Sequence, residues 1–102
     1  MIALIQEKRP EIETLCRRYG VSVLEVFGSA ATGEFDPTRS DLDFLVEFAP
    51  LPPGTHADSY FGLWEDLEKL LGFSVDLVER QPIRNPYFLE SVNATKEPIY
   101  AA

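Results

Sequence analysis

The chain has 102 residues, is 45% hydrophobic and carries nine Lys plus Arg against seventeen Asp plus Glu, a net charge of −8. That length supports one ordinary globular core, so residues 1–102 read as a single domain, and the negative balance argues against nucleic acid as a direct partner. One cysteine, Cys16, and one histidine, His56, exclude an internal disulfide and a Cys/His zinc cluster, which makes a reducing, cytoplasmic setting the default expectation.

The apolar run at the start, Ile2 to Ile5, is too short for a signal-peptide core or a membrane span, so a soluble chain with no membrane partner is expected. From Pro10 to Tyr19, the residues Ile12, Leu15, Cys16 and Tyr19 fall at i, i+3, i+4 and i+7. Pro10 stands near the first helical position and Gly20 where a helix stops, which predicts an amphipathic helix. Val21 to Phe27 is β-branched and apolar and reads as a strand ending in a tight Gly28-Ser29 turn. Leu42, Phe44, Val46 and Phe48 alternate with Asp41, Asp43, Leu45 and Glu47. The second strand thus has one apolar face and one that carries both aspartates.

The Ala49 to Gly54 stretch holds three prolines and is a loop. A helical stripe of Phe61, Trp64, Leu67, Leu70 and Leu71 predicts a second helix between Asp58 and Leu71, stopped by Gly72. Ser74 to Val78 is a third strand, a break runs from Pro82 to Pro86, a weaker helix runs from Tyr87 to Asn93, and Pro98 to Tyr100 forms a last edge segment. Trp64 and Cys16 are expected in the core, His56 on the surface and Gly33 in a plain turn.

The chemistry concentrates in a few positions. A glycine at a strand end, Gly28, lets the backbone approach a phosphate, and Ser29 offers N–H and hydroxyl donors to its oxygens. Asp41 and Asp43 place two carboxylates side by side, an arrangement that favours a bound cation, and Mg²⁺ suits a small open site of one or two carboxylates plus substrate phosphates. Asp76, in the third strand, adds a third acid if that strand pairs beside the second; Glu47 and Glu79 are the nearby alternatives. Three acids suffice for two metals set for an in-line displacement.

The motifs Phe27-Gly28-Ser29-Ala30-Ala31-Thr32-Gly33, Ser40-Asp41-Leu42-Asp43-Phe44-Leu45-Val46 and Val75-Asp76-Leu77-Val78-Glu79 resemble the minimal nucleotidyltransferase (MNT) family of the DNA polymerase β-like superfamily. The resemblance covers nearly the whole chain. It implies an α+β fold resembling the polymerase β palm, with a mixed sheet of three to four strands, helices on one face and the acids on the other. It also implies that Gly28, Ser29 and Ser40 hold the triphosphate, that Asp41 and Asp43 bind two Mg²⁺ (or Mn²⁺) ions, and that Asp76 binds the catalytic one near the attacking hydroxyl. Many members of that family are antitoxins paired with a HEPN-type ribonuclease toxin, and some add AMP from ATP to a toxin tyrosine. The expected partners are therefore a nucleoside triphosphate and a toxin protein, in a homo- or hetero-oligomer. The chain departs from the family at Ala30 and Thr32, where arginine is usual. Arg39, Arg80 and Arg84 are candidates to take over its contacts. Alternative readings are a non-catalytic module that covers its toxin, and transfer to a small molecule of the aminoglycoside type.

Overall fold

The computed structural model describes residues 1–80 and 85–102. Its elements in chain order are α1 (Ala3–Glu7), α2 (Arg9–Tyr19), β1 (Val21–Phe27), α3 (Ser29–Thr32), β2 (Leu42–Phe48), α4 (His56–Leu71), β3 (Val75–Glu79), α5 (Pro86–Thr95) and β4 (Glu97–Ala101). The four strands form one sheet in the order β3-β2-β1-β4, with β1 antiparallel to both β2 and β4 and β2 parallel to β3. This is the α+β mixed sheet that the sequence implies.

Two short helices escape the periodicity argument. Pro10 has no N–H to give to the carbonyl of Gln6, four residues back, so one helical run is split at Lys8 into α1 and α2. The other, α3, follows Gly28 directly and is too short to show an amphipathic pattern. Longer elements sit where the sequence puts them. β1 spans the predicted residues, whereas α4 starts two residues early at His56 and α5 extends to Thr95. Gly20 and Gly72 close α2 and α4 in the left-handed conformation, each donating its N–H to the carbonyl four residues back.

Alternation along the strands decides the packing. Leu24, Val26, Leu42, Phe44, Val46, Val75 and Leu77 face one side of the sheet, where Ile5, Ile12, Cys16, Leu63 and Leu67 from α1, α2 and α4 bury them in the main core. The two long helices meet closely: a Cβ on Gly62 would lie 2.5 Å from the Tyr19 ring. On the same face, Trp64 is half-buried, and its indole N–H donates to the Val75 carbonyl at 2.9 Å while the Tyr60 hydroxyl donates to that of Leu77. Glu68 accepts from Val75 N–H, so α4 holds the outer edge of β3. At the opposite edge, Arg9 donates to the Ile99 carbonyl at 3.1 Å.

The opposite face corrects one expectation, since it is not left bare of helices. Phe27, Leu45 and Val78 form an apolar strip there beside the aspartates, and α5 crosses it, burying Val92. Phe88 of the same helix meets Phe27 edge-on at 6.0 Å. Three apolar residues on a solvent face need such cover.

Candidate active site

β1 ends at Phe27 because Gly28 turns the chain with φ 69° and ψ −149°, a backbone region closed to residues with a Cβ. α3 then starts at Ser29, with the Gly28 carbonyl accepting from Ala31 and Thr32 N–H. Across the sheet, Asp43 is the direct partner of Phe27 on one side and of Asp76 on the other. Paired residues of neighbouring strands point to the same face about 5 Å apart, so the two carboxylates stand next to each other. The Asp43 carboxylate also leans onto the turn: its Oδ2 lies 2.6 Å from where a Gly28 Cβ would be.

The electrostatics follow from that crowding. Partial burial, then repulsion by Asp76 and by Asp41, pushes the Asp43 carboxyl up to about 6. Asp76 is exposed, and so is Asp41, which sits just before β2 rather than inside it. Asp76 and, less strongly, Asp41 thus both bear on Asp43. Among the described residues, no three acidic, His or Cys side chains stand so that they alone could hold a metal ion. An open array of hard carboxylate oxygens carrying excess negative charge fits Mg²⁺, which keeps waters and takes substrate oxygens for the rest of its shell.

Ser29 is half-buried at the first position of α3. Ser40 is tied into the turn that precedes β2, where its hydroxyl accepts from Asp36 N–H at 3.1 Å and its own N–H donates to the Asp36 carbonyl at 2.8 Å. Asp36 in turn accepts from Thr38 N–H and hydroxyl, which holds its carboxyl below the usual range. These bonds fix the turn that delivers Asp41 to β2. Ala30 is fully buried against the core, so position 30 faces away from solvent, whereas Thr32 faces outward. Of the arginines suggested to replace the missing basic groups, Arg80 is drawn to Glu25 at 3.5 Å and Arg39 is exposed in the turn before Ser40. Arg84 lies outside the described residues.

The alternative acids are occupied elsewhere or displaced. Glu79 partners Val46, three positions along the ladder from the Asp43–Asp76 pair, and its Oε1 is 2.6 Å from His56 Nε2. His56 is exposed, as expected of it, but not idle: besides Glu79 it meets Phe48 edge-on at 5.3 Å. These residues line a cleft of about 430 Å³ between Phe48, the proline loop and Glu79, at the opposite end of β2 from Asp43. That cleft does not include the carboxylates, and the crowding of acids beside Gly28 is the better guide to chemistry.

Sequence reasoning missed what α5 brings to this site. Thr95 Oγ1 accepts the Gly28 N–H at 2.9 Å, and Phe88 and Val92 wall the face beside Asp43. No signal in the sequence marks Thr95, because its partner is 67 residues away.

A family model of the nucleotidyltransferase domain matches residues 11–97. The protein adenylyltransferase MntA of Thermococcus cleftensis is 39% identical over 71 residues, 70% of this chain and 68% of that protein. A solved structure assigned as a minimal nucleotidyltransferase is 34% identical and superposes with a TM-score of 0.75, covering 95% of this chain and 96% of that one. A toxin–antitoxin structure with AMP-PNP shares the fold at a TM-score of 0.70 and 21% identity, covering 92% of this chain and 73% of that one.

Proposed function

This chain belongs to the nucleotidyltransferase domain family, and on that premise we propose that it is a Mg²⁺-dependent protein adenylyltransferase, a cytoplasmic antitoxin that transfers AMP from ATP to a hydroxyl of its toxin. The observation that carries the reading is the in-register pairing of Asp43 with Asp76 beside Gly28. The similarity to MntA supports protein adenylyl transfer, and the toxin–antitoxin fold neighbour with AMP-PNP supports the partner and the nucleotide.

In this reading Asp41, Asp43 and Asp76 hold Mg²⁺, two ions in the full complement. Bound there, Mg²⁺ supplies positive charge to offset the negative charge that grows at the α-phosphate. Gly28 admits the phosphates to the backbone, and Ser29 donates to their oxygens at the first turn of α3. Ser40, bonded to Asp36 in the turn, steadies the approach to Asp41. The acceptor oxygen attacks the α-phosphorus, its bond to phosphorus forms as that to the β-phosphate oxygen breaks, and pyrophosphate leaves. In the same reading Asp76 takes the proton that the acceptor loses, a role supported by its exposure on the edge strand.

A second reading, neutralisation by covering the toxin, is favoured by the buried Ala30 and the neutral Thr32, which leave those two positions without a cation for the triphosphate. Intact-mass measurement separates the two. The toxin encoded beside this chain, incubated with it, ATP and Mg²⁺, gains one or more adenylyl groups if the first reading holds. Asp41→Asn with Asp43→Asn removes that mass and restores toxicity. No added mass, with full protection by the double variant, overturns catalysis in favour of occlusion.

A further inference from the structure

The turn at Gly28 is held from outside by one side chain. Gly28 N–H donates to Thr95 Oγ1 at 2.9 Å, and the Thr95 hydroxyl is directed to the Ser91 carbonyl at 3.4 Å, within its own helix. With its hydrogen committed there, the hydroxyl presents a lone pair to Gly28. A second tether reinforces the first: Lys96, the next residue, places its ammonium 3.6 Å from Glu25 Oε2 on β1, the strand that leads into Gly28. Gly28 has little room to adjust, because Asp43 Oδ2 occupies the space beside its Cα. Rotating the Gly28 peptide would break the bond to Thr95 and change the φ from which α3 starts.

We propose that Thr95 is a positioning residue for the nucleotide site: its hydroxyl fixes the Gly28 peptide, and through it the first turn of α3 and the Asp43 carboxylate, in the arrangement that receives Mg·ATP. This rests on the nucleotidyl-transfer reading above. The packing of α5 is supplied separately by Val92 and Phe88, so the hydroxyl can be removed without removing the helix's apolar cover.

The test is calorimetric titration of Mg·ATP into the wild type, Thr95→Val and Thr95→Ser, with melting temperatures and the hydrogen-exchange rate of the Gly28 amide measured on the same samples. Thr95→Val keeps the shape and loses the acceptor. It is expected to speed exchange at Gly28 and to weaken Mg·ATP binding about tenfold or more, while Thr95→Ser recovers affinity to within about threefold of the wild type. A purely structural role lowers the melting temperature of Thr95→Val and leaves its affinity well below that temperature unchanged; that result overturns the proposal, as does equal loss in the valine and serine variants. If Thr95→Val does not fold, Thr95→Ala is read by the same criteria. A wild type that binds no Mg·ATP refutes the nucleotidyl-transfer reading itself and the proposal with it. A wild type that binds normally beside an unaffected Thr95→Val refutes the proposal alone.

Discussion

Asp43 Oδ2 stands 2.6 Å from the position a Cβ would take on Gly28, so the acid and the turn share one space. Gly28→Ala must both force a side chain into the mirror-image backbone region at φ 69° and push the carboxylate aside. The expected cost is about 2–4 kcal/mol of stability. The response of the melting temperature to Mg·ATP should disappear as well. Gly33→Ala, with a positive φ but nothing within 4 Å, is the control, expected to lose only the backbone part of that cost.

Stability should depend on pH through Asp43. Its folded carboxyl is raised from 3.8 to about 6, so folding favours the protonated form. The stability that this contributes is complete below the unfolded value near 4 and is lost as pH rises through 6. In metal-free buffer with EDTA, the wild-type melting temperature should therefore fall across pH 4–6 relative to that of Asp43→Asn, which has no carboxyl to ionise. At pH 7 the asparagine variant should be the more stable of the two. Adding millimolar Mg²⁺ with ATP should raise the wild-type melting temperature and leave Asp43→Asn nearly unchanged. A wild type and variant that stay parallel through the whole range would show that Asp43 carries no charge strain.

Glu25 is the one charged residue buried among those described, facing Arg80 at 3.5 Å and Lys96 at 3.6 Å. It ties the exit of β3 and the junction of α5 with β4 to the middle of β1. Glu25→Gln removes the shared anion and leaves two cations together. Because both cations remain partly exposed, the loss should be about 1–3 kcal/mol, less than for a sealed ion pair. Chemical denaturation at pH 7 in low and high salt measures it, and the difference from wild type should shrink as salt rises.

Cys16 lies in the main core, fully buried, and burial together with the charge of Glu13 pushes its thiol up to about 12. The thiolate is the reactive form. An aromatic disulfide reagent at pH 8 should leave the native protein unmodified and react with one thiol per chain once denaturant unfolds it. Fast modification under native conditions would place Cys16 outside the core.

The long elements were legible because each repeats its period often enough to be heard. Alternation in β2 put Phe44 and Val46 inside and Asp43 outside. The stripe of Phe61, Trp64, Leu67, Leu70 and Leu71 announced α4 but aimed it imperfectly, since the helix buries Leu63, Leu67 and Leu71 and leaves Phe61 exposed. Which acid would meet Asp43 depended on strand register, a tertiary fact. Asp76 and Glu79 both lie on β3, and only the parallel pairing selects Asp76. The contribution of α5 was beyond reach for the same reason. Its local pattern announces a helix, but nothing local announces that the helix crosses the acidic face or that Thr95 reaches Gly28. Position 30 shows a different limit. A neutral residue there reads as a missing phosphate contact, yet the short α3 turns Ala30 into the core, so only the structure distinguishes an absent function from a packed wall.

The side chains along the two rims of the sheet have one more consequence. A sheet edge with open N–H and C=O groups invites another strand, from a second copy or from a partner. Here Trp64 and Tyr60 already cap the Val75 and Leu77 carbonyls on the β3 rim, and on the β4 rim Arg9 caps Ile99 while Pro98 has no N–H to offer. Part of the ladder on each rim is therefore occupied by the chain's own side chains. A strand that pairs there must first displace α4 or Arg9, so a destabilised copy should stack edge to edge more readily once either contact is lost.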